Sequence, residues 1–391
     1  MEIRPDIEKA ALMVLRANTV EIRDVPQKVT NEEVGNLPRE NQPFLYASGN
    51  WGPIYVMIKA LVAYGQVIPI LVEQLTLQII ENFPSLDYVA GNITGGVIPG
   101  WQLSEELSTR LKKEIDFIYV GGTRKKEEDG FPAITLIDRI ALEQTAYELY
   151  RAIIQSRQDF DFVAGLVPSG MIPGYRLSQV LSAKLNRIVP FVYIRQWRKT
   201  GGQKERITGA TNNPYLPSGS TGIVIGQVED FFRTTHEGME VLHEEGFKTI
   251  SGAELLAGLG ASAVTDIRNV QSTLNRSELL WRLQGQGIVV EELVNFAQTT
   301  CHSAGALRSA GCAVNHAATI LFYDNPEAIR MLQEHNIEMT YLLTLPELVA
   351  VAEKHQIFPQ GAIDGYREFS TDPLGWQVER GLKPIERGGT L

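Results

Sequence analysis

The chain has 391 residues, of which 44% are hydrophobic and 21% are charged. This length favours two domains, and the composition supports a sizeable core, which excludes a disordered protein. The sequence carries 36 basic and 46 acidic residues, and its net charge of −10 argues against general binding to nucleic acids or anionic membranes.

Targeting and redox features are sparse. The first residues show no basic start followed by an apolar segment, so we predict no secretory signal. No apolar run approaches the roughly 20 residues of a membrane span. Cys301 and Cys312 have neither a CxxC spacing nor a histidine cluster beside them. We therefore expect a soluble, cytoplasmic protein with no metal ligands of its own, no nucleic-acid partner and no membrane partner.

The first strong pattern along the chain is an internal repeat. Residues 87–125 and 161–199 align without a gap, and 17 of the 39 aligned positions are identical. Each copy has a short apolar strand, a Gly-rich turn, a helix with leucines four residues apart, and a second apolar strand. This order predicts a βαβ unit with parallel strands, whose ligand-facing loop follows the first strand.

A second repeat lies further along the chain. Residues 222–246 match residues 287–311 without a gap, and each copy reads as an apolar strand, a polar loop and a helix that ends at a glycine. The chain therefore contains two first halves followed by two second halves. We predict that one complete α/β lobe is inserted into the loop that joins the two halves of another.

This nesting predicts three segments. Residues 1–129 form the N-terminal half of an outer lobe, residues 130–279 form an inserted lobe, and residues 280–391 complete the outer lobe. The alternative is that the four pieces belong to one large sheet without independent lobes. The length of the chain favours the two lobes.

At this point the chain resembles the orotate phosphoribosyltransferase family, which has the type I phosphoribosyltransferase fold. The turn ITGG at residues 93–96 matches the family's pyrophosphate turn, and FLYASGNWGPIY at residues 44–55 resembles its hood segment. A helix is expected before it, at residues 11–22. The resemblance implies an α/β fold with a hood and a parallel sheet flanked by helices in each lobe, and two lobes that pack as a pseudo-dimer.

The resemblance also implies a reaction. The family transfers ribose 5-phosphate from phosphoribosyl pyrophosphate to a base nitrogen, with Mg²⁺ on the pyrophosphate. Such a reaction needs backbone amides and cations around the pyrophosphate, and a carboxylate pair for the ribose hydroxyls. The matching positions that would bind substrate are Thr94, Gly95, Gly96, Glu291, Glu292, Ser48, Gly49 and Tyr55.

Basic residues of the family's mobile loop reach the pyrophosphate, generally from the other subunit. The outer lobe keeps one of these, Lys125, and the inserted lobe keeps Arg195 and Lys199. The resemblance gives the two lysines catalytic roles and gives Arg195 a role in substrate binding. The most complete site would combine the turn and the two glutamates of the outer lobe with Lys199 of the inserted lobe.

Both copies depart from the family's phosphate loop, which contains two glycines. Residues 295–299 read NFAQT and residues 230–234 read DFFRT, so the close backbone approach that glycine allows is lost in both copies. Ala47 and Asn325 stand where the family carries cations for the orotate carboxylate.

These departures lead to two functional hypotheses. We favour a binding protein or a structural building block, a pseudoenzyme in which ribosyl transfer is weak or lost and which needs no cofactor. The alternative is an active phosphoribosyltransferase that uses Mg²⁺ and a pyrimidine or related base at one composite site. The expected partners are phosphoribosyl pyrophosphate or a nucleotide, together with further copies of the chain or another protein.

Overall fold

A computed structural model describes residues 3–46, 49–121, 133–195, 206–210, 213–227, 230–260 and 267–385. The strands are β1 (Val20–Ile22), β2 (Phe44–Leu45), β3 (Trp51–Gly52), β4 (Ile54–Val56), β5 (Leu86–Asn92), β6 (Asp116–Val120), β7 (Ile134–Ile137), β8 (Phe162–Leu166), β9 (Phe191–Ile194), β10 (Ile207–Thr208), β11 (Thr221–Ile225), β12 (Lys248–Ser251), β13 (Gln271–Thr273), β14 (Gln286–Val294), β15 (Ala313–Phe322) and β16 (Glu338–Thr344).

The helices for which bounds are established surround these strands. They are α1 (Pro5–Arg16), α2 (Val67–Asn82), α3 (Val97–Leu111), α4 (Arg139–Ser156), α5 (Met171–Leu185), α6 (Phe231–Glu244), α7 (Gly252–Leu259), α8 (Arg276–Arg282), α9 (Gln298–Ser309), α10 (Pro326–Glu334), α11 (Leu345–Lys354), α12 (Gln360–Thr371) and α13 (Pro373–Glu379). None of the helices in the described ranges is long and apolar enough to cross a membrane.

Two large sheets form the main part of the chain. One has seven strands in the order β13, β7, β6, β5, β14, β15 and β16. The other has five strands in the order β10, β9, β8, β11 and β12. The central strands of both sheets are parallel, whereas β7 and β13 in the first sheet and β10 in the second pair in the antiparallel direction. The predicted α/β fold with sheets flanked by helices is therefore confirmed.

The two sheets share one arrangement of strands. The repeats pair β5 with β8, β6 with β9, β14 with β11 and β15 with β12. In this correspondence, the order β7, β6, β5, β14, β15 of the first sheet equals the order β10, β9, β8, β11, β12 of the second. All strands of the five-stranded sheet lie between β7 and β13 in sequence, so that sheet is an insertion into the seven-stranded one.

The edges of the insertion are marked by two strands of the outer sheet. β7 and β13 fall within residues 130–279, which were predicted to form the inserted lobe, yet both pair in the seven-stranded sheet. Ile137 and Gln271 are Cα partners in this antiparallel pair. The chain therefore leaves and re-enters the outer sheet at adjacent positions. The boundaries at 129/130 and 279/280 stay a prediction.

By compactness the chain divides into two units, which do not coincide with the two predicted lobes. The smaller unit contains the N-terminal residues up to Met57 and the C-terminal residues from Pro346. Its strands form two short antiparallel pairs, β1 with β4 and β2 with β3. The Trp51 amide donates to Oε1 of Gln377 at 2.9 Å, which ties β3 to α13.

The larger unit holds both large sheets. Its central parallel strands, such as β5, β8, β9 and β11, are buried on both faces, as expected for strands covered by helices on both sides. Leu103 and Leu107 of α3 and their counterparts Leu177 and Leu181 of α5 are fully buried. The leucine spacing in the two copies therefore marks the faces that hold α3 and α5 in the core.

Candidate functional site

The turn between β5 and α3 occupies the carboxyl edge of the seven-stranded sheet. The Gly96 amide donates to the Asn92 carbonyl at 2.9 Å, and Gly96 is the residue before α3. A Cβ at Gly96 would press on the Val290 carbonyl oxygen and the Asn92 amide. A glycine is required here because the turn lies directly against β14.

The acidic pair at residues 291 and 292 lies beside this turn. A Cβ at Gly95 would overlap the carboxyl group of Glu292, so that carboxyl group lies against the backbone of the turn. The structure therefore brings together the predicted pyrophosphate turn and Glu292. The two come from strands β5 and β14, which are neighbours in the sheet.

Glu291 has a different environment from Glu292. Its Oε1 accepts hydrogen bonds from Nδ2 of Asn92 at 2.7 Å and from Oγ1 of Thr300 at 3.3 Å. Burial raises the pKa of the Glu291 carboxyl to about 8, and the neighbouring charge of Glu292 also raises it. At neutral pH, Glu291 therefore holds a proton in a large share of the molecules.

Arg195 brings a cation from the five-stranded sheet. It follows β9, and its guanidinium donates to Oγ1 of Thr208 at 3.1 Å and to Oγ1 of Thr94 at 3.5 Å. Thr94 belongs to the turn of the seven-stranded sheet. A residue of one sheet therefore contacts the turn of the other; the composite site predicted from the sequence used Lys199 for this cation, and Lys199 lies outside the described residues.

Tyr193 connects the two charged groups of the site. The guanidinium carbon of Arg195 lies 5.5 Å from the centre of the Tyr193 ring. Burial raises the pKa of the Tyr193 phenol, Arg195 lowers it, and Glu292 raises it. Arg195 and Glu292 therefore both act electrostatically on the same buried phenol.

The loop after β14 is short. β14 continues to Val294, which pairs with Phe322, and α9 begins at Gln298. Only residues 295–297 connect the two elements, and Ala297 has a left-handed φ of 57°. The loop therefore lacks the glycines and the length of a loop that wraps a phosphate.

In the five-stranded sheet, two threonines of α6 bond the backbone that directly follows β11. The amide of Gly226 donates to Oγ1 of Thr235 at 3.1 Å, and the amide of Gln227 donates to Oγ1 of Thr234 at 2.8 Å. Phe231 is buried beneath this loop. The backbone amides at the position of the acidic pair are therefore already bonded within the protein.

The remaining predicted residues belong to the smaller unit or fall outside the described residues. Gly49 and Tyr55 belong to the smaller unit, where Gly49 has a φ of 82° and Tyr55 lies in β4. Ser48, Lys125 and Lys199 lie outside the described residues. The catalytic roles of the two lysines stay predictions.

Sequence reasoning missed Asn92, Thr300, Tyr193 and Thr208. Asn92 and Glu291 correspond in the second copy to Leu166 and Gly226, so the hydrogen-bonded pair is present in only one copy. A search for polar residues that differ between the copies at the ends of strands would have found Asn92. Thr300 gives no such signal because both copies have threonine there.

The residues of this site fit a magnesium ion only if a phosphate ligand provides further ligands to the ion. Among the residues that the structure describes, no group of three or more His, Cys, Asp or Glu side chains could hold a metal ion. Mg²⁺ is commonly held by one or two carboxylates and the phosphates of a substrate. Glu292 is the carboxylate beside the turn that would contact an ion bound to pyrophosphate.

No family model matches the chain. An orotate phosphoribosyltransferase of Ruegeria sp. is 27% identical over 145 residues, covering 34% of this chain and 64% of that relative. The orotate phosphoribosyltransferase of Roseobacter denitrificans is 26% identical over 145 residues, which again cover 34% of this chain and 64% of that relative. The chain thus spans 64% of the length of these curated relatives.

Solved structures of the same enzyme also align with the chain. An orotate phosphoribosyltransferase from Aeropyrum pernix aligns with a TM-score of 0.35 and 11% identity, covering 89% of this chain and 99% of that one. The Mycobacterium tuberculosis enzyme with inorganic phosphate aligns with a TM-score of 0.36 and 8% identity, covering 88% and 99%. From its sequence relatives, the chain is an α/β protein similar to orotate phosphoribosyltransferases.

Proposed function

We propose that the chain binds a ribose phosphate, such as phosphoribosyl pyrophosphate or a nucleotide, at one composite site, and that ribosyl transfer there is weak or lost. The site consists of Thr94, Gly95, Glu292 and Arg195. The contact of Arg195 with Thr94 and the position of Glu292 against Gly95 support binding, and the absence of glycine from residues 295–299 and 230–234 supports weak or lost transfer. Preorganised amides normally provide much of the transition-state stabilisation, and the glycines that let a backbone wrap a phosphate are absent from both segments.

The state of Glu291 supports the same conclusion. In the family, an ionised acidic pair would accept hydrogen bonds from the ribose hydroxyls. Here Glu291 is buried and bonded to Asn92 and Thr300, so its Oε1 is already engaged by protein donors. Glu292 alone is then the principal carboxylate for the ligand.

An active phosphoribosyltransferase is the second candidate. It is favoured by the contact of Arg195 with Thr94, which places a cation from one sheet at the turn of the other. A cation at this point can stabilise the pyrophosphate leaving group. Orotate is the base to test first, because the relatives are orotate phosphoribosyltransferases.

Calorimetric titration with phosphoribosyl pyrophosphate and Mg²⁺ tests the first proposal. We expect about one site per chain, and at least tenfold weaker binding in Glu292→Gln, because the ligand loses its carboxylate contact. Glu240→Gln is the matched control, because Glu240 is an exposed glutamate on α6. Its affinity should equal that of the wild type.

The same samples, incubated with orotate or uracil, separate the two candidates. We expect no nucleotide product by chromatography. Product formation that Glu292→Gln abolishes would establish the active enzyme instead. Absence of binding at millimolar ligand would refute both candidates and leave a structural role in an assembly.

A further inference from the structure

Helix α4 has two apolar faces. One face packs in the core through Leu142, Thr145, Ala146, Leu149, Ala152 and Ile153. The opposite face exposes Ile140, Tyr147 and Ile154, whose exposed fractions are 81%, 50% and 45%. A helix at the surface of a globular domain normally presents polar residues on this side.

The three exposed residues form a continuous stripe. They are spaced seven residues apart, so they lie on the same side of the helix at intervals of about 10.5 Å. The ring of Tyr150 lies 5.9 Å from the ring of Tyr147 and widens the stripe at its centre. Seven-residue spacing of apolar side chains is typical of a helix that packs along a second helix.

The exposed charges along α4 are arranged in two halves, a division that the partly buried Arg139 and Glu148 do not follow. Among the residues from the N-cap Asp138 to the C-cap Arg157, the exposed charged residues of the first half are Asp138 and Glu143. Those of the second half are Arg151 and Arg157. Glu143 also pairs with Arg176 of α5. An antiparallel partner helix of the same sequence would place the acidic half opposite the basic half, whereas a parallel one would oppose like charges.

The stripe is also symmetric about its centre. Ile140 and Ile154 are equally distant from Tyr147 along the helix. When two copies of α4 pack in antiparallel fashion about Tyr147, Ile140 of each copy therefore meets Ile154 of the other. A surface that matches itself in this way is what a two-fold symmetric interface requires.

We propose that the α4 stripe, Ile140, Tyr147 and Ile154, is the contact through which two copies of this chain associate in solution, with their α4 helices antiparallel. A single helix pair buries less than the roughly 1,600 Å² of a standard interface, so the association depends on protein concentration. The inference is independent of the ligand site, because none of these residues belongs to it.

Cysteine cross-linking with a short bismaleimide tests the arrangement. Tyr147→Cys should give covalent dimers, and a mixture of Ile140→Cys with Ile154→Cys should do so as well. Ile140→Cys alone should not, because antiparallel packing separates the two copies of residue 140 by about 21 Å along the helix. Leu77→Cys is the control, because Leu77 is similarly exposed on a different helix, α2.

Sedimentation provides a second readout. The wild type should shift from monomer to dimer with rising concentration, and Tyr147→Glu should weaken the dimer at least tenfold, whereas Leu77→Glu should not. All these positions are exposed, so the variants should keep the circular dichroism of the wild type. A wild type that stays monomeric at 100 µM, or cross-links formed by Ile140→Cys alone, would overturn the proposal.

Discussion

At the scale of single residues, two adjacent glutamates have taken different roles. Glu292 lies against the turn at Gly95, whereas Glu291 is buried and bonded to Asn92 and Thr300. The two differ because successive side chains of a strand point to opposite sides. An acidic pair in sequence therefore does not imply two carboxylates for one ligand.

Glu291 makes the stability of the protein depend on pH. Its pKa is raised from 4.5 to about 8 in the folded protein, so its contribution is fully present below about pH 4.5 and is lost as the pH rises through 8. We expect Glu291→Gln to gain stability relative to the wild type between pH 5 and 9, by on the order of a few kcal/mol. Urea unfolding at several pH values measures this difference.

Glu240→Gln is again the appropriate control, because Glu240 is exposed and its replacement should leave the pH dependence unchanged. A Glu291→Gln variant whose stability difference from the wild type is the same at pH 5 and pH 9 would contradict the raised pKa of Glu291.

At the scale of elements, the two βα turns separate a glycine that serves packing from one that lies beside Glu292. Gly96 and its counterpart Gly170 both lie against a backbone carbonyl of the neighbouring central strand. Gly170 is kept although its copy has lost the acidic pair, which indicates a packing role. Gly95 corresponds to Ser169, and Gly95 lies beside the carboxyl group of Glu292.

Alanine substitutions separate these two roles. Gly96→Ala should destabilise the protein by roughly 1–3 kcal/mol, because its Cβ would meet backbone atoms that cannot move aside. Gly95→Ala should destabilise it less, because the Glu292 side chain can move, but should weaken ligand binding. Thermal unfolding and calorimetry measure the two effects. Equal losses of stability would refute this distinction.

The sequence predicts the fold where a segment occurs twice or where apolar residues recur at a helical spacing. The gapless repeats and the leucine spacing predicted both sheets and the burial of α3 and α5. The hydrogen bonds of Glu291 could not be predicted, because Asn92 and Glu291 are far apart in sequence and meet only through the register of β5 with β14. The pairing of β7 and β13 with the outer sheet was missed for the same reason.

At the scale of the whole molecule, the insertion is connected at one point of the outer sheet. Ile137 and Gln271 are partners across an antiparallel pair, so the ends of residues 138–270 lie close together. A segment with adjacent ends and its own five-stranded sheet has the connections of a separately folding domain.

We expect a fragment of residues 138–270 to fold alone with a cooperative urea transition. Its core includes Phe162, Leu166 and Val224, which the fragment retains, but also Ala63, which it lacks. The fragment should therefore be less stable than the full chain. Circular dichroism during urea unfolding checks this. A fragment without a cooperative transition would show that the two sheets fold only together.

The insertion has a consequence for how the two copies could diverge. In a homodimer encoded by one gene, every substitution appears in both symmetry-related sites at once. Here the two turns are separate stretches of one chain, so a mutation changes one and leaves the other intact. Position 226 can thus hold a glycine while the corresponding position 291 holds a glutamate. Natural selection can therefore act on each of the two copies separately.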